Sequence, residues 1–288
     1  MFLILQYPFI HNAFFAGSLI AIVNGVLGYF LVIRGLTFAG HALSSIGFAG
    51  AAGAVLLGVP PAYGLLIFTI GASLVISTLP FEVHRRDVAI GVTMTFALSL
   101  GILFLSLYHG YAEMAYSILF GTIVGISRSD VLLTAILGLG ILAVLSILWR
   151  PLLFISFDPE VAEARGLPVR FLSIFYLVLV AVAISIAMQV IGVLLVFALL
   201  VGPPATAIRI TNRPARVIAL SIGLGLVYTW AGILLAAASN WPVSFFLTAL
   251  SFGVYLPVRM LVGQRRASLP VKQHRKNLSL SWTKNNHD

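Results

Sequence analysis

Nine apolar stretches, most about as long as a bilayer crossing requires, follow one another along this chain with only short polar or Pro/Gly breaks between them. They fall at 9–33, 39–57, 61–80, 88–108, 131–149, 170–188, 191–208, 215–238 and 243–262. A helix needs about 20 mainly apolar residues to cross hydrocarbon. Hydrophobic residues make up 60% of the 288, and charged residues only 9%. The mean hydropathy is +1.09. A water-soluble core, a disordered chain and a secreted disulfide scaffold are excluded, the last because there are no cysteines. The expected fold is an all-α polytopic membrane bundle of about nine spans, or eight if one run is re-entrant. A further run, 114–126, is too short to cross and reads as a half-helix or interfacial segment.

The net charge of +9 does not point to nucleic acid once its placement is considered. With nine crossings, every lysine and arginine except Arg128 falls on one side of the membrane. These are Arg34, the pair at 85–86, Arg150, Arg165 and Arg170, then Arg209, Arg213 and Arg216, and last the cluster from Arg259 onwards. The positive-inside rule puts that side in the cytoplasm and the N-terminus outside. Reading 170–208 as one span breaks this agreement, so a division is expected near Gln189–Gly192. The first basic residue is Arg34, so the opening apolar run does not resemble a cleaved signal peptide. Residues 1–263 read as one membrane domain. Residues 264–288 read as a basic, solvated cytoplasmic tail, with contact to anionic lipid as its alternative.

The chain contains neither a GxxxxGK[ST] phosphate loop nor HExxH. No acidic or basic residue falls clearly within a span. Ion-coupled carriers usually keep one at depth, so the expectation is a conduit driven from elsewhere, without catalysis of its own. Without thiolates, a transition metal must be met by His, Asp, Glu or weaker oxygen donors.

Three segments carry specific signals. In SFDPEVAEARGLP, 156–168, Asp158 can cap a helix that begins at Pro159. Glu160 and Glu163 suit its positive start, Arg165 its end, Gly166 a left-handed C-terminal turn, and Pro168 a stop. Such a short, well-defined helix between two crossings reads as a docking element for a soluble partner rather than a helix lying on headgroups. In GHALSSIGFAGAAGA, 40–54, His41 is the one histidine within a predicted span. Ser45 shares its helix face, and Gly47, Gly50 and Gly53 form a ridge of small residues. His41 and Ser45 could touch a metal in transit. On residues alone, a histidine hydrogen-bonded to nearby backbone is the simpler reading. In MQVIGVLLVFALLVGPPAT, 188–206, Gln189 must be paired or line a wet cavity, and Pro203 and Pro204 disturb the helix. A pathway lining and an ordinary helix end remain equally open there.

Together with DVAIGVTMTFALSLG at 87–101 and ILFGTIVGIS at 118–127, these segments resemble the membrane permeases of zinc- and manganese-type metal importers of the ATP-binding-cassette class. The resemblance runs from about residue 12 to 262. It implies a scaffold similar to vitamin B12 and siderophore permeases with one fewer N-terminal span, and a short outer helix at 114–126. It also implies pairing of two copies, an ATPase subunit docked on 158–165, and an extracytoplasmic metal-binding protein. The family usually has Asp in place of His41 and His in place of Ser45, a pair thought to touch the ion. Two imidazoles across a dimer axis, without carboxylates, favour zinc over the harder manganese. The expected function is therefore an inner-membrane permease for zinc, with manganese, iron or a metal chelate as alternative cargo. The rival from another class is an ion-coupled secondary transporter.

Overall fold

The computed structural model describes residues 8–79, 83–108, 126–239 and 241–267. Most of the run at 114–126 and the tail beyond 267 lie outside them. Every described element is a helix. In chain order they are α1 (Pro8–Ile33), α2 (Thr37–Leu56), α3 (Pro61–Thr78), α4 (Val83–Ser106), α5 (Arg128–Ile147) and α6 (Trp149–Phe157). There follow α7 (Pro159–Ala164), α8 (Val169–Ile191), α9 (Val193–Ile210), α10 (Pro214–Ser239) and α11 (Val243–Ala267). Eight are long and apolar enough to cross a membrane, and α9 carries a shorter apolar run, Leu195–Ile210.

Contacts fix the directions of these helices. Along α1, Gly17 faces Thr229 and Gly25 faces Ile222, so α10 runs antiparallel to it. Along α2, Gly53 faces Phe104 near the end of α4, and Phe38 near the start of α2 faces Gly91, so α2 and α4 run the same way. Asn12 donates its side-chain amide to the carbonyl of Ile126 at 2.9 Å, and Gly138 faces Val23, so α5 is parallel to α1. The division near Gln189–Gly192 falls at Gly192, whose φ of 82° suits glycine. The Tyr176 hydroxyl of α8 donates to the carbonyl of Leu27 at 2.7 Å. Leu200 of α9 meets Gly28, the next residue of α1. Two positions so far apart in sequence reach one level of α1 only if the chain turns back between them. So α8 leaves the end that carries Arg34, and α9 returns to it.

That end gathers Arg34, Arg150, Arg165, Arg170, Arg209, Arg213 and Arg216 at helix ends and turns. α1, α2 and α8 lie mostly within the bundle, while α4, α5 and α11 present most of their length outwards. Hydrocarbon gives helices no hydrophobic reason to associate, so close approach at small residues has to supply contact energy. Gly50 and Gly64 face each other's carbonyls where α2 crosses α3. Gly47 faces Thr69 and Met188, so the small-residue ridge of α2 serves α3, α4 and α8 together.

Several boundaries differ from the sequence reading, three of them notably. α5 starts at Arg128 rather than 131, because Ser127 and Asp130 form a capping box. The Ser127 hydroxyl accepts from the Asp130 amide at 3.2 Å, and the Asp130 carboxylate accepts from the Ser127 amide at 3.0 Å. α4 starts at Val83, so its first turns include the polar residues 84–87. α11 continues through Ala267, into the basic tail.

A Cβ at Gly28 would run into the Leu200 carbonyl oxygen and the ring of Pro204. Gly28→Ala should therefore destabilise the bundle by about 1–3 kcal/mol, the usual cost of overpacking. A lowered thermal unfolding midpoint in mild detergent is the expected result. Gly71→Ala, at a position with open space around it, should leave the midpoint unchanged.

Candidate functional site

Two places collect the residues singled out by sequence. The first is α7, at the arginine-bearing end. Asp158 accepts the Val161 amide on its carboxylate at 3.0 Å, and Pro159 opens the helix. At the other end, the Gly166 amide donates to the Glu163 carbonyl at 2.8 Å and the Leu167 amide to the Ala162 carbonyl at 3.1 Å. This is a Schellman closure, and Gly166 takes the required left-handed turn at φ 80°. Ala162 is fully buried in the main core and anchors the helix, whereas Asp158, Pro159, Glu160, Val161, Glu163, Arg165 and Gly166 are exposed. The Arg165 guanidinium lies 5.6 Å from the ring centre of Phe154 in α6. α7 thus offers an acidic, partly apolar face on a rigid base.

Sequence reasoning missed α6, which joins α5 to α7. Leu148 ends α5 and begins α6, with no capping side chain and no polar break, so the two helices read as one apolar run followed by a loop.

The second place is where α2 meets α8 and α9. His41 is half-buried, and its ring centre lies 4.7 Å from that of Phe197 on α9. Nδ1 is buried and finds no hydrogen-bond partner. At Nδ1, the backbone hydrogen bond considered from sequence is not made. Ser45, one turn on, is buried and donates its hydroxyl to the His41 carbonyl at 3.1 Å, leaving its oxygen lone pairs as the only further valence. Gln189 is half-buried and donates its side-chain amide to the Ser185 carbonyl at 3.3 Å. Pro203 and Pro204 are buried, and Pro204 packs against Gly28 of α1. Proline lacks an amide, so the carbonyls of Leu199 and Leu200 lose their helical donors. The Leu200 carbonyl turns towards Gly28 instead. Phe197, the aromatic partner of His41, carried no signal in the sequence because nothing local distinguishes it from other apolar residues of its run. No group of three or more His, Cys, Asp or Glu gathers into a metal cage among the described residues.

α8 links the two places. At its start, the Ser173 hydroxyl accepts from the Arg34 guanidinium at 2.5 Å. Near its far end, the Ser185 and Thr69 hydroxyls share a 2.7 Å hydrogen bond, and Met188 packs on Gly47. Removing the cap should loosen α7 alone. Asp158→Ala should cost about 1 kcal/mol of local stability, and Asp158→Asn should restore most of it. Amide exchange over residues 159–164 should quicken in the alanine variant and return towards normal in the asparagine variant, with the rest of the bundle unaffected.

The sequence matches the ABC 3 transport family over residues 6–262. The manganese transport system membrane protein MntC of Halalkalibacterium halodurans is 32% identical over 231 residues, 80% of this chain and 79% of that protein. The manganese import system permease protein ScaB of Streptococcus parasanguinis is 31% identical over 252 residues, 87% of this chain and 90% of that protein. Among solved structures, PsaBC from Streptococcus pneumoniae in complex with Fab aligns at a TM-score of 0.79 with 29% identity, covering 88% of this chain and 92% of that one. An inward-facing structure described as a metal-chelate type ABC transporter shares the fold at a TM-score of 0.66 and 16% identity, over 90% of this chain and 85% of that one.

Proposed function

The chain belongs to the ABC 3 transport family, and from that premise we propose that it is the permease subunit of an ATP-driven divalent-metal importer, with zinc as the favoured cargo. It provides a path across the inner membrane and no covalent chemistry, and nucleotide hydrolysis belongs to a separate ATPase subunit. Two copies pair around the path, and an extracytoplasmic metal-binding protein delivers the ion. The arginine-bearing end faces the cytoplasm, so the N-terminus lies outside and the C-terminus inside.

The observation that carries this reading is α7. A capped, exposed helix with Glu160 and Glu163 on a fixed base suits the groove of a soluble protein, and Ala162 couples it to the core. Asp158, Pro159, Arg165 and Gly166 hold its shape. Movement imposed on α7 passes through the turn at 166–168 into α8, a rod of about 34 Å. At its far end the rod bears on α2 through Met188 and Gly47, and on α9 through Gly192. His41 lies on α2 against Phe197 of α9, with Ser45 one turn on; Gln189 lies near the far end of α8, and Pro203 and Pro204 further along α9. Alternating access then consists of opening and closing the junction of α2, α8 and α9.

Zinc is favoured because imidazole suits it and His41 belongs to no cluster of three or more His, Cys, Asp or Glu among the described residues, whereas manganese prefers oxygen donors. Manganese is the second reading, supported by the names of MntC and ScaB. Uptake of labelled zinc and manganese by cells that express the partner subunits separates the two. His41→Ala should lower zinc uptake at least about tenfold, since even outer-sphere partners of metal ligands are worth that much. The double change His41→Asp with Ser45→His should move preference towards manganese. Unchanged zinc uptake in His41→Ala removes this residue from the path. For docking, Glu160→Lys should abolish co-purification of the ATPase subunit while membrane insertion stays normal. Intact association with normal coupled ATP hydrolysis refutes the docking role.

A further inference from the structure

α5 and α10 both pack on α1, and between them lies a groove with a cavity volume of about 470 Å³. Val26 of α1, Leu142 of α5 and Ile218 of α10 make it apolar. Ser146, also in its lining, adds little polarity, because its hydroxyl is spent on the Leu142 carbonyl at 2.7 Å. The groove changes character at the arginine-bearing end, where Trp149 and Arg150 line it. Trp149 packs edge-on against Phe30, with ring centres 5.4 Å apart. Its indole N–H donates to no acceptor among the described residues. Arg150 is exposed and has no hydrogen bond or ion pair among them. Two other arginines of this end are engaged, Arg34 with Ser173 and the face of Tyr176, and Arg165 with Phe154, but only Arg150 lines the groove.

An apolar trough at hydrocarbon depth that ends in an uncommitted guanidinium and an indole N–H complements one chemistry, a phosphodiester attached to acyl chains. Basic pockets between membrane helices on the cytoplasmic side take such headgroups, and tryptophan settles at the same level. We propose that this groove holds one anionic phospholipid, with an acyl chain against Val26, Leu142 and Ile218 and its phosphate on Arg150 and the Trp149 N–H. Arg216, two residues before Ile218 on α10, adds to the positive field. The lipid braces α6, which leads directly through Asp158 into α7. The site needs only a bilayer and this chain, so it stands or falls separately from the transport reading.

Fluorescence quenching tests it. Trp230, Trp241 and Trp282 are changed to Phe, which leaves Trp149 as sole reporter. The protein is placed in phosphatidylcholine vesicles containing equal fractions of brominated phosphatidylglycerol or brominated phosphatidylcholine. Brominated phosphatidylglycerol should associate about fivefold more strongly, the factor that one arginine is worth near anionic lipid. Arg150→Gln should bring the ratio most of the way to one, Arg216 leaving a small residual preference, without loss of helical content. Ser146→Phe, which fills the groove from an exposed position, should weaken quenching by both lipids. A ratio of one in the parent protein overturns the proposal. So does a ratio unaffected by Arg150→Gln, or a preference abolished by inorganic phosphate at constant ionic strength. Native mass spectrometry makes the comparison without the Trp substitutions. Phosphatidylglycerol retained by the parent and lost from Arg150→Gln supports the site, and equal retention of both lipids refutes it.

Discussion

Inside hydrocarbon a helix gains nothing by hiding apolar surface from its surroundings, so this bundle depends on how closely its backbones can meet. Gly50 against Gly64 and Gly28 against Leu200 are the tightest expressions of that constraint. At the second of these, Pro204 deprives the Leu200 carbonyl of its helical donor, and α1 offers a glycine where that oxygen turns. An unpaired carbonyl in lipid costs several kcal/mol. Here it faces a Cα surface that can return part of that as a weak C–H contact. A proline pair at depth is thereby tolerated on α9, and α9 is held against the helix that also carries α5, α8 and α10.

Polar contacts add direction to this packing. α8 is tied to α1 by Arg34–Ser173 and Tyr176–Leu27, and to α3 by Ser185–Thr69. These bonds sit at different heights and on two different neighbours, so together they hold α8 against sliding and rotation. Its two ends are the turn from α7 and the glycine that starts α9. A helix fixed in this way transmits displacement rather than absorbing it, which the proposed coupling of α7 to the α2–α9 junction requires.

What the sequence made legible follows from how local each signal is. Asp158, Pro159, Gly166 and Pro168 are caps and stops whose chemistry acts within one turn, and the helix they predict is the helix observed at Pro159–Ala164. The reversal at Gly192 was legible only through the length of 170–208, too great for one crossing, and the charge pattern of distant loops, because Gln189–Gly192 contains no strong turn signal. α6 was not legible because Leu148 serves both helices and no polar residue separates them. The pairing of His41 with Phe197 depends on α9 folding back, a tertiary event that no spacing rule reaches. The same is true of the lipid-sized groove, whose walls come from α1, α5, α6 and α10.

His41 draws these strands together. A buried ring nitrogen without a partner costs roughly 1–3 kcal/mol, and natural bundles keep such a group only where something offsets it. Phe197 supplies contact but no acceptor or donor for Nδ1. A passing cation would satisfy the imidazole for as long as it stayed. With the Ser45 proton already committed to the His41 carbonyl and no group of three or more His, Cys, Asp or Glu among the described residues, the proposed site in one protomer would offer too few donors to hold the ion. That shortage suits a conduit. A site that bound metal tightly would have to be emptied against its own affinity in every cycle, whereas the proposed pair of imidazoles, one from each of two copies, would bind only while the path was closed around it.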